Sequence, residues 1–196
     1  MKRRRRHGLT PDVFAFDLAS VETYLVATRV LERATPGTRW YPVSHEQLTG
    51  RPELGDLDAD RLAAERRAAE LDLPLFWPDR HPAPVPRAMR AARYAAQHGF
   101  AGPFMQTCAR LAFAGTFDLD GRCPDAIDAA AGRIAPHHKD AVLAAANDGH
   151  GQAPEGDPGD AAWLVAQGIE RLPALRIGGA LACGERAIHN LLRSHT

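Results

Sequence analysis

No run of 18 or more apolar residues occurs in this 196-residue chain, so a membrane-spanning helix is not expected. Cysteine is scarce. Cys108, Cys123 and Cys183 are too few and too far apart for a disulfide framework, and no two of them form a CxxC pair. A reducing, cytoplasmic compartment is therefore the expectation. A glycine-rich phosphate loop, an HExxH pair and a GxSxG elbow are also missing, which removes the chemistries that depend on them. Net charge is absent, at 24 basic against 24 acidic residues. Five of the basic ones lie at 2–6, so the rest of the chain carries 19 against 24 and is mildly acidic, which argues against nucleic acid as a partner. Pro11, Asp17, Glu22 and Arg29 interrupt what would have to be an apolar stretch after that basic start, so no secretion signal is read. Residues 1–9 are expected to be a solvated, disordered basic tail, with no membrane as partner.

What is present is the composition of a globular protein: 45% hydrophobic and 24% charged residues, enough for one domain with a large insertion. Residues 13–19 crowd apolar and aromatic side chains into a run too short for a helix and predict a central strand. From Val21 to Ala34, Tyr24, Leu25, Thr28 and Leu31 recur three or four apart, leaving Glu22, Arg29, Glu32 and Arg33 for water, which predicts an amphipathic helix. Ser20 precedes it as an N-cap whose hydroxyl can accept a backbone N–H bond. Residues 38–45 predict a second strand, parallel to the first, with Pro42 placing it at an edge or marking its end.

Stretches 58–72, 86–98, 103–114, 124–135 and 137–147 carry helical spacing between proline and glycine breakers. Residues 149–159 lack apolar periodicity and are expected to be a flexible connector. A helix around 160–167, two strands joined at Gly178-Gly179 and a closing helix over 185–195 complete the chain. The order is βαβ, a helical block, then αββα, an α/β plan. The expected division is 10–50 and 160–196 as one domain, with a helical insertion over 51–159.

Outside that plan the chemistry-bearing residues read plainly. Adjacent residues on a helix diverge by ~100°, so His137 and His138 do not make a metal pair and no metal is expected. Arg61, Arg66, Arg67, Arg90 and Arg93 read as solvated helix faces. Cys108 and Cys183 read as buried core thiols, Cys183 with the added feature that it closes the hairpin.

The segment Asp17-Leu18-Ala19-Ser20-Val21-Glu22-Thr23-Tyr24-Leu25, together with Gly168-Ile169-Glu170-Arg171-Leu172-Pro173 ahead of a hairpin and Gly184-Glu185-Arg186, resembles the DsbA-like branch of the thioredoxin superfamily. Within it the likeness is to the group of 2-hydroxychromene-2-carboxylate isomerases and kappa-class glutathione transferases, over nearly the whole chain. Trp40-Tyr41-Pro42-Val43 and residues 73–78 are lesser echoes. The resemblance implies a thioredoxin-like domain with a helical insertion. It places Ser20 on the group's glutathione-activating serine, and Ser20-Val21-Glu22-Thr23 where oxidoreductases keep CxxC. It also implies a cis Leu172-Pro173 bond whose backbone meets a bound thiol.

On that resemblance Ser20 is the catalytic candidate. Glu22, Thr23, Leu172, Pro173, Glu185 and Arg186 are thiol- or substrate-binding candidates, the cofactor is glutathione or another low-molecular-weight thiol, and the substrate is a small molecule. Relatives in the group often pair, which leaves room for a homodimer. The chain departs from the group at Val21 for a proline, at Glu22 for an aromatic, at Arg186 for the acid that would hold the γ-glutamyl ammonium, at Ala187 for an arginine and at Pro84 for an asparagine. Glu22 in the first helical turn is expected to repel a thiolate, and Glu185 stands one position from the missing acid. A serine cannot exchange disulfides, which disfavours oxidoreductase activity. Two functions remain: a thiol-dependent isomerase or transferase, and a non-catalytic thioredoxin-fold binding protein with a degenerate site. An open cleft between Ser20, Pro173 and the helical block favours the first, and a filled groove the second.

Overall fold

The computed structural model describes residues 11–51, 57–121, 125–148 and 158–194. The basic tail, most of the 149–159 connector and Cys123 lie outside them. Four strands form one mixed sheet in the order β2-β1-β3-β4: β1 (Val13–Phe16), β2 (Arg39–Pro42), β3 (Ala174–Ile177) and β4 (Ala180–Cys183). β1 pairs parallel with β2, Val13 opposite Arg39, and antiparallel with β3, Val13 opposite Arg176. β2 is thus an edge strand that ends on Pro42, the two places a residue lacking an N–H donor is tolerated. Both strands are shorter than the sequence pattern predicts. The chain leaves β1 at Asp17, and Ser44 caps a short helix where the pattern of 38–45 predicts strand.

That helix, α2 (His45–Thr49), follows α1 (Val21–Arg33) and is opened by a reciprocal capping box. Gln47 N–H donates to Ser44 Oγ at 3.2 Å, and Ser44 N–H donates to Gln47 Oε1 at 3.0 Å. The helical block comprises α3 (Leu57–Glu70), α4 (Pro86–Gln97), α5 (Ala101–Phe113), α6 (Ala126–Ile134) and α7 (Lys139–Asn147). The stretch read as a helix from 137 begins instead with a 3₁₀ turn at 136–138. α8 (Pro158–Ala166) and α9 (Glu185–Ser194) bracket the β3–β4 hairpin. Its Gly178 and Gly179 both hold positive φ, at 57° and 86°, a tight turn that a Cβ would strain. Among the described residues no helix is long and apolar enough to cross a membrane.

Alternation along β1 sends its side chains to two cores. Phe14 and Phe16 enter the larger one, with Val26, Phe104, Met105 and Phe113, while Val13 and Ala15 face Leu164, Ile169 and Leu172 in the smaller. All four β1 residues are fully buried, each contributing up to ~1.5–3 kcal/mol for the larger side chains. α1 departs from its predicted stripe. Thr23 through Ala27 and Val30 are all buried, because α1 lies between the sheet and helices α3, α5 and α9 and has more than one apolar neighbour.

α5 crosses α1 and β2 so closely that Gly102 has no room for a side chain: a Cβ there would stand 2.6 Å from Trp40 Cζ2 and 2.9 Å from Leu31 Cδ1. Gly102→Ala gains up to ~1 kcal/mol of helix propensity but overpacks the contact by about 1–3 kcal/mol. We expect a net loss of stability, read as a lower urea midpoint at unchanged slope. A raised midpoint would show that the indole moves aside freely.

Candidate active site

The route from β1 into α1 is held by one carboxylate. Asp17, 7% exposed, accepts Ala19 N–H on Oδ1 at 2.8 Å and His45 N–H on Oδ2 at 2.9 Å, tying the turn before α1 to the start of α2. Ser20 follows as the N-cap, with extended φ −87° and ψ 125°. Its backbone carbonyl accepts Thr23 N–H at 3.1 Å, but its hydroxyl makes no capping bond. The N-cap hydrogen bond expected from the sequence is therefore absent. What remains is a half-exposed hydroxyl at the positive end of a 13-residue helix.

Ser20 opens onto a cleft of about 1630 Å³. It is lined by Ser20, Glu22, Arg171 and the Cys183-Gly184-Glu185-Arg186 start of α9, and by Arg61 and Arg67 from α3, Trp77, His81 and residues of α4. Of the residues singled out from the sequence, the cleft brings together Ser20, Glu22, Glu185 and Arg186. It does not bring in Thr23, whose side chain is fully buried, nor Leu172 and Pro173, which are buried and do not line it. The Leu172-Pro173 peptide is cis, and the Pro173 carbonyl accepts Gly184 N–H at 2.7 Å, which joins this loop to the start of α9.

The charges are arranged in pairs. Glu22 is half-buried and paired, not simply left to water as its helical position predicts. One carboxylate oxygen accepts a hydrogen bond from Arg171, and the other accepts Glu185 N–H at 3.1 Å. The repulsion expected between Glu22 and a thiolate is thus met by a neighbouring guanidinium. Burial outweighs these contacts and raises the Glu22 pKa above its ordinary 4.5. Glu185, 5% exposed, accepts Arg67 Nε–H at 2.8 Å. Arg67 also holds Glu70 at 2.7 Å.

The reading of five arginines as solvated faces holds for Arg66 alone. Arg61 donates to the His81 carbonyl at 2.7 Å and stacks over Trp77 at 5.1 Å, and Arg90 holds the Ala146 carbonyl at 3.0 and 2.6 Å. Arg93 donates to Gln47 at 2.9 Å. The reason is tertiary: α3 and α4 turn these faces toward the cleft and toward the ends of other helices. Cys183 also departs from the core reading, being half-buried on the cleft wall, whereas Cys108 is fully buried and its thiol pKa is pushed far up by desolvation.

His81 and Arg61 were not singled out from the sequence as site residues. The His81-Pro82-Ala83-Pro84-Val85-Pro86 cluster reads only as a breaker, yet Phe76 N–H donates to the Phe113 carbonyl at 2.7 Å and Tyr24 Oη–H to the Pro74 carbonyl, holding residues 71–85 across α5 and α1. The His81 ring packs 4.9 Å from Trp77 and 5.4 Å from Phe113. Burial, aided by the Arg61 guanidinium, pushes its pKa down from 6.5 to about 4. His138, from the dismissed pair, lies 3.1 Å from the Tyr94 hydroxyl. Among the described residues no group of three or more His, Cys, Asp or Glu could hold a metal ion.

Ser44→Ala should cost about 1 kcal/mol, having lost a real cap, whereas Ser20→Ala should change stability by less than ~0.5 kcal/mol, both read by urea unfolding. For His81 the unfolded chain binds a proton below 6.5 while the folded chain does not until about 4, so stability is lost as pH falls through that window. The loss is ~3 kcal/mol at most, and about 1–2 kcal/mol after screening of a partly exposed ring. His81→Gln should flatten this acid limb; an unchanged limb would assign it to other groups.

No protein-family model matches the chain, and no curated protein matches it. Solved structures do. The chain is similar to a 2-hydroxychromene-2-carboxylate isomerase at 14% identity and a TM-score of 0.76, over 94% of this chain and 93% of that one. It is similar to a chain from Streptomyces coelicolor assigned as a DsbA oxidoreductase, at 16% identity and a TM-score of 0.62, over 93% and 87%. A chain from Nitrosomonas europaea assigned as a protein disulfide isomerase shares 14% identity at a TM-score of 0.54, over 94% and 97%. These likenesses establish the fold: an α/β thioredoxin-like fold of the DsbA type with a helical insertion.

Proposed function

We propose that this DsbA-like thioredoxin fold serves a thiol-cofactor-dependent isomerase or transferase, with Ser20 orienting the sulfur of glutathione or another low-molecular-weight thiol. The observation that carries the reading is the Ser20 hydroxyl, which sits at a helix N-terminus, is not engaged in capping, and opens onto a large cleft. A helix N-terminus bears roughly half a positive charge, which favours a thiolate over a thiol. The Ser20 O–H donates a hydrogen bond to that thiolate, a charge-assisted contact about twice as strong as a neutral one. Arg171, paired with Glu22, keeps the Glu22 charge from undoing this.

The thiolate then attacks an electrophilic carbon of a small substrate lying toward Trp77 and His81. In a transferase a leaving group departs with the electron pair and the new C–S bond remains. In an isomerase the thiolate is expelled again once the substrate has rearranged, and the thiol is regenerated. Dithiol exchange is excluded for Ser20, which has no sulfur to oxidise, so insulin reduction should show no turnover.

One observation favours a second reading, a binding protein that keeps the cleft without the chemistry: the Glu22–Arg171 and Glu185–Arg67 pairs already occupy the surroundings of Ser20. Titration calorimetry with glutathione and other small thiols, combined with ultraviolet detection of thiolate, separates the two. Millimolar or tighter binding with a bound-thiol pKa below the ordinary ~8.5, and its return toward that value in Ser20→Ala, supports the enzyme. Binding without thiolate supports the second reading, and no binding by any thiol at millimolar concentration ends the first.

A further inference from the structure

A thiol that reacts as a thiolate must first lose a proton, and Ser20, which donates its own proton toward the sulfur, does not take it. Among the described residues no lysine or tyrosine lines the cleft. Asp17 has both oxygens on backbone N–H groups, Glu22 is held by Arg171 and Glu185 N–H, and Glu185 is held by Arg67. Glu46 and Asp60 are exposed on α2 and α3, and an ordinary carboxylate, at about 4, is a far weaker base than a thiolate at about 8.5. Two imidazoles remain, those of His45 and His81. His81 packs on Trp77 and Phe113, and burial with the Arg61 guanidinium pushes its pKa down to about 4, so it takes up no proton near neutrality.

His45 is placed differently. It is the first residue of α2, fixed by the Ser44–Gln47 capping box, and its N–H donates to Asp17 Oδ2 at 2.9 Å. The other oxygen of that carboxylate holds Ala19 N–H at 2.8 Å, so one side chain ties His45 to the residue before Ser20. His45 is half-buried and lines the cleft, and its ring makes no hydrogen bond, ion pair or ring contact among the described residues. Charge reaches its surroundings from Asp17, from Glu46 beside it, from Asp160 in the first turn of α8, which packs against α2, and from Arg93, which donates to Gln47 at 2.9 Å. None of these groups bonds the ring.

We propose that His45 takes up the proton of the thiol bound at Ser20. This rests on the thiol reading above and adds the fate of the proton. The S–H bond breaks with its electron pair left on sulfur, the proton passes to an imidazole nitrogen, and the thiolate held by the Ser20 O–H shares the cleft with an imidazolium. A base beside the nucleophile is the general way of activating a weak one. When the thiolate is expelled at the end of an isomerisation, the same nitrogen returns the proton and restores the thiol and the neutral ring. In a transfer the proton goes out with the departing anion.

The test counts protons. Glutathione and N-acetylcysteine are titrated calorimetrically at about pH 7.5, where an ordinary imidazole is neutral, in two buffers of different ionisation heat, with ultraviolet absorbance measuring the thiolate formed. The native protein should form thiolate while releasing well under one proton for each. His45→Gln keeps the N–H that Asp17 holds; it should release about one proton per thiolate and form at least about threefold less thiolate, having lost the imidazolium. Release of about one proton per thiolate by the native protein, or an unchanged balance in His45→Gln, gives the proton to solvent or to another group. Either result overturns the proposal while the Ser20 reading stands. A native protein that forms no thiolate with either thiol overturns the proposal together with the thiolate chemistry of Ser20.

Discussion

The site depends on where the Asp17 carboxylate lies. It sits at the end of the central strand, almost wholly buried, and both oxygens are taken up by backbone N–H groups, one in the turn before α1 and one at the first residue of α2. A buried carboxylate left without such donors would be costly, so its presence locks the turn into a single path. That path lifts α1 off the end of the sheet and presents Ser20 at its tip. Phe14 and Phe16 anchor the strand from one side and Val13 and Ala15 from the other, so the turn has rigid support on both faces. Close contact of Gly102 with Trp40 and Leu31 brings the helical block against the same unit.

Around that tip the side chains partition charge. Glu22 and Glu185, neighbours through a backbone hydrogen bond, are each paired with a different arginine, one from the loop before β3 and one from α3. The arrangement joins the loop, α1, α9 and the helical block through four charged groups. The same cleft is lined by the Trp77 indole and by the His81 imidazole, whose pKa is pushed down to about 4. At the tip of α1 this chain carries a hydroxyl, and the cleft beside it is lined by both arginines and carboxylates.

Much of the scaffold was legible in the residues. The crowding of Val13 to Phe16, the three-and-four spacing of α1, Pro42 at an edge and the paired glycines of the hairpin are local signals with local causes, and each emerged within a few residues of its predicted bounds. α2 was missed although its signal was present: Ser44 followed three residues later by Gln47 is the pattern of a capping box. The site was legible only in part. Ser20, Glu22, Glu185 and Arg186 converge, but the role of Ser20 as a cap was misjudged, since whether a hydroxyl bonds its own helix depends on a rotamer and not on its position in the chain. Arg61, Arg67 and His81 resemble many other charged and breaker-flanked residues, and nothing local marks them.

The sequence by itself determined the strand and helix pattern, the absence of a redox pair, and the placing of a serine immediately ahead of the first helix, because periodicity, residue chemistry and chain order are properties of the polymer alone. Only the tertiary structure decided that Glu22 would be partnered by Arg171 across 149 positions and Glu185 by Arg67 across 118, and that Arg61 and His81 would line the same cleft as Ser20. The reason is that electrostatic pairing acts through space over a few ångströms, and which groups come that close is settled by how buried surfaces pack, not by their separation along the chain.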